Sequence, residues 1–444
     1  MTTQEYIKQH RNDDVYRLAL AKTPEGVDLQ YALQQISAYQ ILTKKVPSWA
    51  EYDELIFPRQ LSLEQSSSEL TARYKAELIR DFMGNQPFAH IDLTGGMGID
   101  CYFIAQHTSH SHYVELNPEL CQIARHNFAH LNPNISVHNT TAEEFLNQST
   151  EYRVQSTDNR VQSTDNRVQS TEHKLQITDY RLETTDNSSL LIPHSSFLIY
   201  IDPARRGDHG QKLVSIADCQ PNVIELLPQM FELTDKVVVK LSPMLDITRA
   251  INELPHIEKL YVISVGNECK ELFLFINKKY NAETQIHAIN LKSTINSQKS
   301  TDNPTPFSGF ISHESALSLS YAHEVGKYLY EPYAAHLKSG LYKTLAEKYN
   351  VKKLHKHSHL YTSTELNNDF PGRKFEVKEV VPFDKKSAKT LFKSLKQANL
   401  TTRNFPLSVS ELRTQYKIKD GGETYIFATT LHDDSKVLII CQKA

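Results

Sequence analysis

The sequence predicts an α/β protein built on a Rossmann-like, doubly wound sheet of seven strands with an antiparallel last strand. Three observations carry that expectation. Residues 88–100 read Phe-Ala-His-Ile-Asp-Leu-Thr-Gly-Gly-Met-Gly-Ile-Asp: an apolar run ending in Asp92, then a glycine-rich turn. Ile99, Phe103 and Ile104 follow at helical spacing, as in the first strand, loop and helix of such a sheet. A second strand-like run ends on Glu115, and Asn117-Pro118 then supplies an N-cap and a first-turn proline. Finally, apolar runs near 257–267 and 269–279 lie so close together that they must form a hairpin, which makes the last strand antiparallel.

In chain order, residues 1–85 read as a helical region. Leu29, Ala32, Leu33, Ile36, Tyr39 and Ile41 keep helical spacing until Pro47 stops it. A second helix is expected from near Ser66, with Glu69 as capping-box partner, to Gly84. The sheet domain, 86–280, has strands near 88–93, 112–116, 135–139, 196–202, 235–242, 257–267 and 269–279, the last at its edge. A helix runs from Pro118 to about His130. Between the third and fourth strands Arg153-Val-Gln-Ser-Thr-Asp-Asn159 repeats at Arg160 and Arg167 and decays at Lys174 and Arg181. One dependable apolar residue per unit is too few for a coiled coil or solenoid, so 151–190 reads as a disordered insertion. Residues 281–372 form a polar linking module, with a helical segment from Glu331 to Lys338. Residues 373–444 read as strand, helix 387–399, helix 408–416 and a hairpin turned by Asp420-Gly-Gly422.

Composition bounds the function. With 444 residues there is chain for several cores, and 49 Lys and Arg against 52 Asp and Glu argue neither for nor against nucleic acid. Cysteines 101, 121, 219, 269 and 441 form no C-x-x-C pair and read as reduced thiols of a cytoplasmic protein. The cluster His355-Lys-His-Ser-His359 has no acidic or cysteine partner close in sequence, so no metal is expected. No run approaches a secretory or bilayer-spanning segment, and no membrane contact or obligate protein partner is expected.

The glycine loop does not suit a nicotinamide dinucleotide, because the third position after Gly98 is Cys101 where G-x-G-x-x-G needs glycine. The order D-L-x-x-G-x-G, acidic strand end, then Asp202-Pro203 after the fourth strand resembles the class I S-adenosylmethionine-dependent methyltransferases from about Leu61 to Lys279. Four runs narrow the resemblance: Leu63-Glu-Gln-Ser-Ser-Ser-Glu-Leu-Thr-Ala-Arg-Tyr-Lys75, Asp202-Pro-Ala-Arg-Arg206, Val239-Lys-Leu-Ser-Pro243 and Asn267-Glu-Cys-Lys-Glu271. Together they are similar to the class I methyltransferases with a THUMP-like C-terminal domain. The resemblance implies the class I methyltransferase sheet, small ferredoxin-like and THUMP-like α+β modules, S-adenosylmethionine as cofactor, and RNA (tRNA or rRNA) as substrate.

It also implies roles for named residues. Thr71 lies beside the methionine end of the cofactor. Asp92, Thr94 and Gly95 shape the loop, where Gly96 and Gly98 leave room for the ligand. Glu115, followed by Leu116 and Asn117, binds the ribose hydroxyls. Thr141 and Ala142 stand where the wider class often places an adenine-binding Asp. Asp202 and the Pro203 carbonyl face the methyl acceptor, with Arg205 beside them. Ala204 and Arg205 replace the second proline and aromatic of amino methyltransferases, and Arg205 and Arg206 offer charge to a phosphate. Leu241 stands where the related uracil enzymes carry their thiol, and Cys219 lacks the setting of cytosine enzymes, so direct in-line transfer is expected, to a base nitrogen first and to a ribose oxygen as the alternative.

From Lys327 to Arg403 there are 16 Lys and Arg against 7 Asp and Glu, interleaved with Tyr and Phe, and Lys352, Lys353, Lys356, Arg373 and Lys374 are the candidate RNA contacts. Other functions compatible with the sequence are methylation of a small molecule or protein, and a non-catalytic cofactor-binding RNA module.

Overall fold

The computed structural model describes residues 1–58, 66–131, 133–150, 179–183, 189–193, 197–205, 215–292 and 305–444. Most of the insertion expected to be disordered at 151–190 lies outside them, but its end is corrected: Asp179–Glu183 and Ser189–Pro193 are strands paired antiparallel. The chain divides into two compact units. The first is Met1–Leu260, Glu271–Thr284 and Ser293–Asn303; the second is Tyr261–Lys270, Gln285–Lys292 and Pro304–Ala444.

The sheet strands are β1 (Ala89–Asp92), β2 (His110–Glu115), β3 (Ile135–Asn139), β4 (Phe197–Ile201), β5 (Lys236–Leu241), β6 (Ile257–Val265) and β7 (Glu268–Asn277). Their hydrogen-bonded order is β3-β2-β1-β4-β5-β7-β6, and two more strands, Gln285–Leu291 and Phe307–Gly309, make nine rather than seven. β1 to β5 pair in parallel, and β7 runs antiparallel to β5. The antiparallel strand therefore lies inside the sheet, not at its edge. Gly266 and Asn267, with φ of +57° and +71°, turn the β6–β7 hairpin; a two-residue turn with both φ positive is one of the two kinds that match the twist of its strands. Strands buried on both faces read as unbroken apolar runs, and Phe197–Ile201 is buried at every position.

Ahead of the sheet, helix Leu29–Lys45 carries the expected periodicity, and its Gln35 side chain fastens the extended chain by exchanging two hydrogen bonds with the Phe57 backbone. Helix Glu69–Phe82 starts two residues later than the sequence suggests. Ser68 is its N-cap, accepting from Thr71 N, while Glu69 accepts from Ser48 N instead of closing a capping box.

In the second unit one seven-stranded sheet has the order Lys352–Lys353, Tyr361–Ser363, Tyr328–Pro332, Gly372–Pro382, Lys436–Lys443, Tyr425–Thr430, Asn399–Arg403. Strand Gly372–Pro382 pairs on one side with Tyr328–Pro332 and on the other with Lys436–Lys443. Several sequence expectations are corrected. Tyr328–Pro332 is a strand with a short helix, Ala334–Lys338, after it; the polar stretch after 280 contains the largely buried strand Gln285–Leu291. The first tail helix is Lys385–Ser394, Asn399–Arg403 is a strand, and the final hairpin turns at 431–435, with Asp420-Gly-Gly422 a bend leading into it. Alternation along the strands gives this sheet two cores. Phe427, Val437 and Ile439 pack with Leu329 and Phe375 on one face, and Ile426, Ala428 and Leu438 pack with Phe392 and Leu412 on the other.

Candidate active site

The parallel strands β1, β2 and β4 end together, so the residues after them share the crevice where such sheets hold ligands. The loop after β1 is tied down by its own polar groups. Leu93 N donates to Tyr200 O at 3.0 Å, Gly95 N to Val114 O at 2.9 Å, and Gly98 N to Gly95 O at 2.8 Å. Thr94 links two carboxyl-bearing corners: its N donates to Asp92 Oδ1 at 3.0 Å and its Oγ1 accepts from Asp202 N at 2.6 Å.

The three glycines do different jobs. A Cβ at Gly95 would lie 2.2 Å from the Tyr113 ring, and one at Gly98 would lie 2.6 Å from Phe128. Both are small because the protein packs on them, which corrects the expectation that Gly98 makes room for a ligand. Gly96, with φ of +53°, has only Thr94 O within 4 Å of its missing Cβ, so its open side faces space a ligand can enter. Tyr113 Oη holds the Gly96 carbonyl at 2.6 Å.

Glu115 closes the crevice at the end of β2. Its Oε2 accepts from Gly96 N at 2.9 Å and its Oε1 from Asn117 N at 2.8 Å, which leaves lone pairs on both oxygens for a diol. Leu116 beside it is 63% exposed, an apolar surface at the crevice, and Asn117 caps the helix Pro118–Leu131. Thr141 Oγ1 accepts from Glu144 N as the cap of the next helix, whose first residue, Ala142, is buried. Thr71 is buried with its hydroxyl turned back to Ser68 O. Arg206 and the Arg205 side chain lie outside what the structure describes.

Below Asp202 lies a network that sequence reasoning did not assemble. Lys240 Nζ sits 2.5 Å from Asp202 Oδ2 and 3.4 Å from Asp100 Oδ2. Lys75 Nζ donates to Asp100 Oδ2 and Ser67 Oγ at 2.8 Å each and to Glu271 Oε2 at 3.0 Å. Tyr200 Oη and Ser67 Oγ each donate to Asp100 Oδ2 at 2.8 Å. Lys75 is 1% exposed, whereas the Asp202 side chain is 37% exposed, so Asp202 is the member that a substrate can reach. The one available signal was that Lys75, Asp202, Lys240 and Glu271 each fall in a different one of the four family-like runs.

Burial would raise Asp100, but the charges of Lys75 and Lys240 overcome it and hold the carboxyl well below the usual range. Burial would likewise lower Lys240, but Asp202, Asp100 and Glu271 keep it a firm ammonium. For Asp92 burial wins: it pushes the carboxyl up to about 8, with Asp100 and Asp202 adding in the same direction, against the Thr94 N–H and Lys240, which favour the charged form. Its unfolded value is about 3.9, so between about pH 4 and 8 the folded chain holds a proton that the unfolded chain has lost. Wild type should therefore lose stability relative to Asp92→Asn across that window and level off above it. Urea midpoints measured through the window check this; a difference independent of pH would contradict the buried neutral acid.

The comparisons with known proteins bear on this arrangement. Residues 372–443 match the family model of the THUMP domain-like module, and residues 328–371 match a ferredoxin-like domain. A candidate methyltransferase of known structure from Porphyromonas gingivalis W83 is 32% identical, with a TM-score of 0.79, over 100% of this chain and 97% of its own. The chain belongs to that family, the class I methyltransferases with a THUMP-like C-terminal domain. Two further structures are similar at low identity. One is a candidate class I S-adenosylmethionine-dependent methyltransferase from Listeria monocytogenes, at 9% identity and TM-score 0.35 over 66% of this chain and 94% of its own. The other is a candidate RNA methyltransferase from Pyrococcus horikoshii, at 12% and 0.25 over 44% and 71%. No curated protein matches the chain.

The methyltransferase uses S-adenosylmethionine, which brings a methyl group on a sulfonium. The residues present fit it: Gly96 offers the open backbone, and Glu115 the acceptor-rich carboxylate. Among the described residues no group of His, Cys, Asp or Glu could hold a metal ion, and no helix is long and apolar enough to cross a membrane.

The candidate RNA contacts fare differently from one another. Lys352 and Lys356 are exposed. Lys353 is buried, donates to Lys356 O at 2.7 Å, and is lowered by burial to about 8. Arg373 and Arg403 both clasp Glu331, itself 3% exposed, and Lys374 is half-buried. Lys353 therefore serves the fold, whereas Arg373 is engaged by Glu331 but keeps part of its side chain exposed. Exposed lysines that the sequence reading passed over, Lys385, Lys386, Lys389 and Lys393, line helix Lys385–Ser394.

Proposed function

We propose that this chain methylates structured RNA, tRNA or rRNA, by direct in-line transfer with no covalent cysteine intermediate. The observation that carries the reading is Asp202 after β4, whose backbone N–H is fixed to Thr94 of the cofactor loop and whose partly exposed carboxylate meets Lys240. Glu115 takes the ribose hydroxyls of the cofactor, Gly96 lets its backbone approach, and Leu116 offers an apolar surface to its base. Asp202 and the Pro203 carbonyl then accept hydrogens from the methyl acceptor. Direct transfer is supported by Leu241 at the position of the uracil enzymes' thiol and by the burial of Cys219. The sequence expectation of a base nitrogen is one acceptor such a carboxylate can serve, and a hydroxyl is the other.

RNA as the substrate is supported by the THUMP-like module and by exposed lysines on it and on the ferredoxin-like domain. Neutralising a phosphate releases counterions, so RNA binding should weaken steeply with salt. Charge reversal at Lys352, Lys356, Lys389 and Lys393 should flatten the log–log salt slope by roughly 0.7–0.9 per contact removed, with cofactor affinity unchanged. Filter binding of wild type and variant to tRNA and rRNA fragments at several salt concentrations tests this. Wild type without salt-sensitive RNA binding would shift the reading to a small-molecule or protein substrate.

A further inference from the structure

The chemistry around Asp202 differs from what an amine acceptor needs. An exocyclic amine already carries its electron pair, so it wants hydrogen acceptors around it, and it becomes positive as the methyl arrives. An ammonium in contact with the carboxylate that faces it opposes that charge. A hydroxyl makes the opposite demand. It must give up a proton, and its oxygen becomes more negative before the new bond is complete, which a nearby ammonium stabilises.

Lys240 is that ammonium. It is buried, touches Asp202 Oδ2 at 2.5 Å, and is braced from behind by Ser67 Oγ at 3.3 Å and Asp100 Oδ2 at 3.4 Å. Lys75 braces the same Asp100 oxygen and joins Glu271. A second lysine this deep beneath an acceptor-facing carboxylate has no use in gripping an amine, but it stiffens the lysine–aspartate pair that a hydroxyl requires.

Resting on the reading of the chain as an RNA methyltransferase, we propose that the acceptor is a hydroxyl, the ribose 2′-OH, with Asp202 as its proton acceptor and Lys240 as the positioning residue. An internal nucleotide of RNA carries one free hydroxyl, the 2′-OH, so acceptor chemistry and substrate class together name the atom. In the transfer, the ribose oxygen forms a bond to the methyl carbon and its proton passes to Asp202. The methyl–sulfur bond breaks with its electron pair left on sulfur, so the sulfonium becomes a neutral thioether. Asp202 then releases its proton to solvent through its exposed edge.

The test uses the full chain with S-adenosylmethionine and RNA from cells lacking the gene, followed by mass spectrometry of the digested nucleosides. The expected result is the added methyl in the ribose fragment. A 2′-deoxy substitution at that nucleotide should abolish transfer while RNA binding stays within a few-fold. Lys240→Gln should lower kcat by roughly 10²-fold with KM for RNA and calorimetric cofactor affinity nearly unchanged, and Lys240→Arg should recover part of the loss. A merely structural role for Lys240 would instead lower cofactor affinity and melting temperature along with rate. If Lys240→Gln fails to fold, the wild-type product still decides. A methyl in the base fragment overturns the hydroxyl proposal and leaves the RNA reading standing. Transfer to small-molecule or protein fractions, with none to RNA, overturns both.

Discussion

Asp202→Ala should lower the methyl-transfer rate by roughly 10²-fold or more while leaving S-adenosylmethionine affinity within a few-fold. The asymmetry follows from position. The Asp202 backbone N–H is what meets Thr94 of the cofactor loop, and alanine keeps that bond. The carboxylate meets only Lys240 among the described residues and is free on its exposed side to engage the acceptor. Removing it leaves Lys240 its contacts with Asp100 and Ser67, so the fold below should hold. Single-turnover transfer and calorimetry, run on the same preparation, separate the two effects. An unchanged transfer rate would mean that the acceptor sits elsewhere.

Lys75→Met should destabilise the first unit by about 3–5 kcal/mol, because it takes the shared cation from two largely buried carboxylates and leaves Asp100 only the longer contact with Lys240. Melting should fall by on the order of 10 °C. The cause is charge left unpaired rather than volume lost, since methionine nearly fills the same space. A charge-balanced control distinguishes the two: adding Glu271→Gln to Lys75→Met should recover part of the loss. Additive losses would show that the pair is not coupled.

Much of the sheet was legible because strands such as β4 and β6 are apolar runs closed by an Asp or a glycine turn. Asn399–Arg403 was not legible: its one apolar side chain is Leu400, and only pairing with Tyr425–Thr430 makes it a strand. The true tail turn, Leu-His-Asp-Asp-Ser at 431–435, was outshone by Asp420-Gly-Gly422, a stronger turn signal that the fold spends on a bend. At the site, the loop and Glu115 could be read because a local motif holds them. The Lys75–Asp100–Tyr200–Lys240–Glu271 network could not, because no spacing links residues that meet only when the strands are stacked. Lys353 was misjudged because charge counting treats every cation as if it faced solvent, whereas its ammonium is turned inward to Lys356 O and the Tyr342 ring.

The inner position of β7 bears on how the protein is made. Lys75 and Glu271 are 196 positions apart. A ribosome adding about 5–20 residues per second takes roughly 10–40 s to travel from one to the other. Lys75 comes first, Asp100 and Lys240 join it during that interval, and their last carboxylate arrives at its end. β6 leaves the ribosome before β7, yet β7 lies between it and β5. β6 therefore cannot take its native place in the sheet until β7 has been made, and the charge network beneath Asp202 is complete only then.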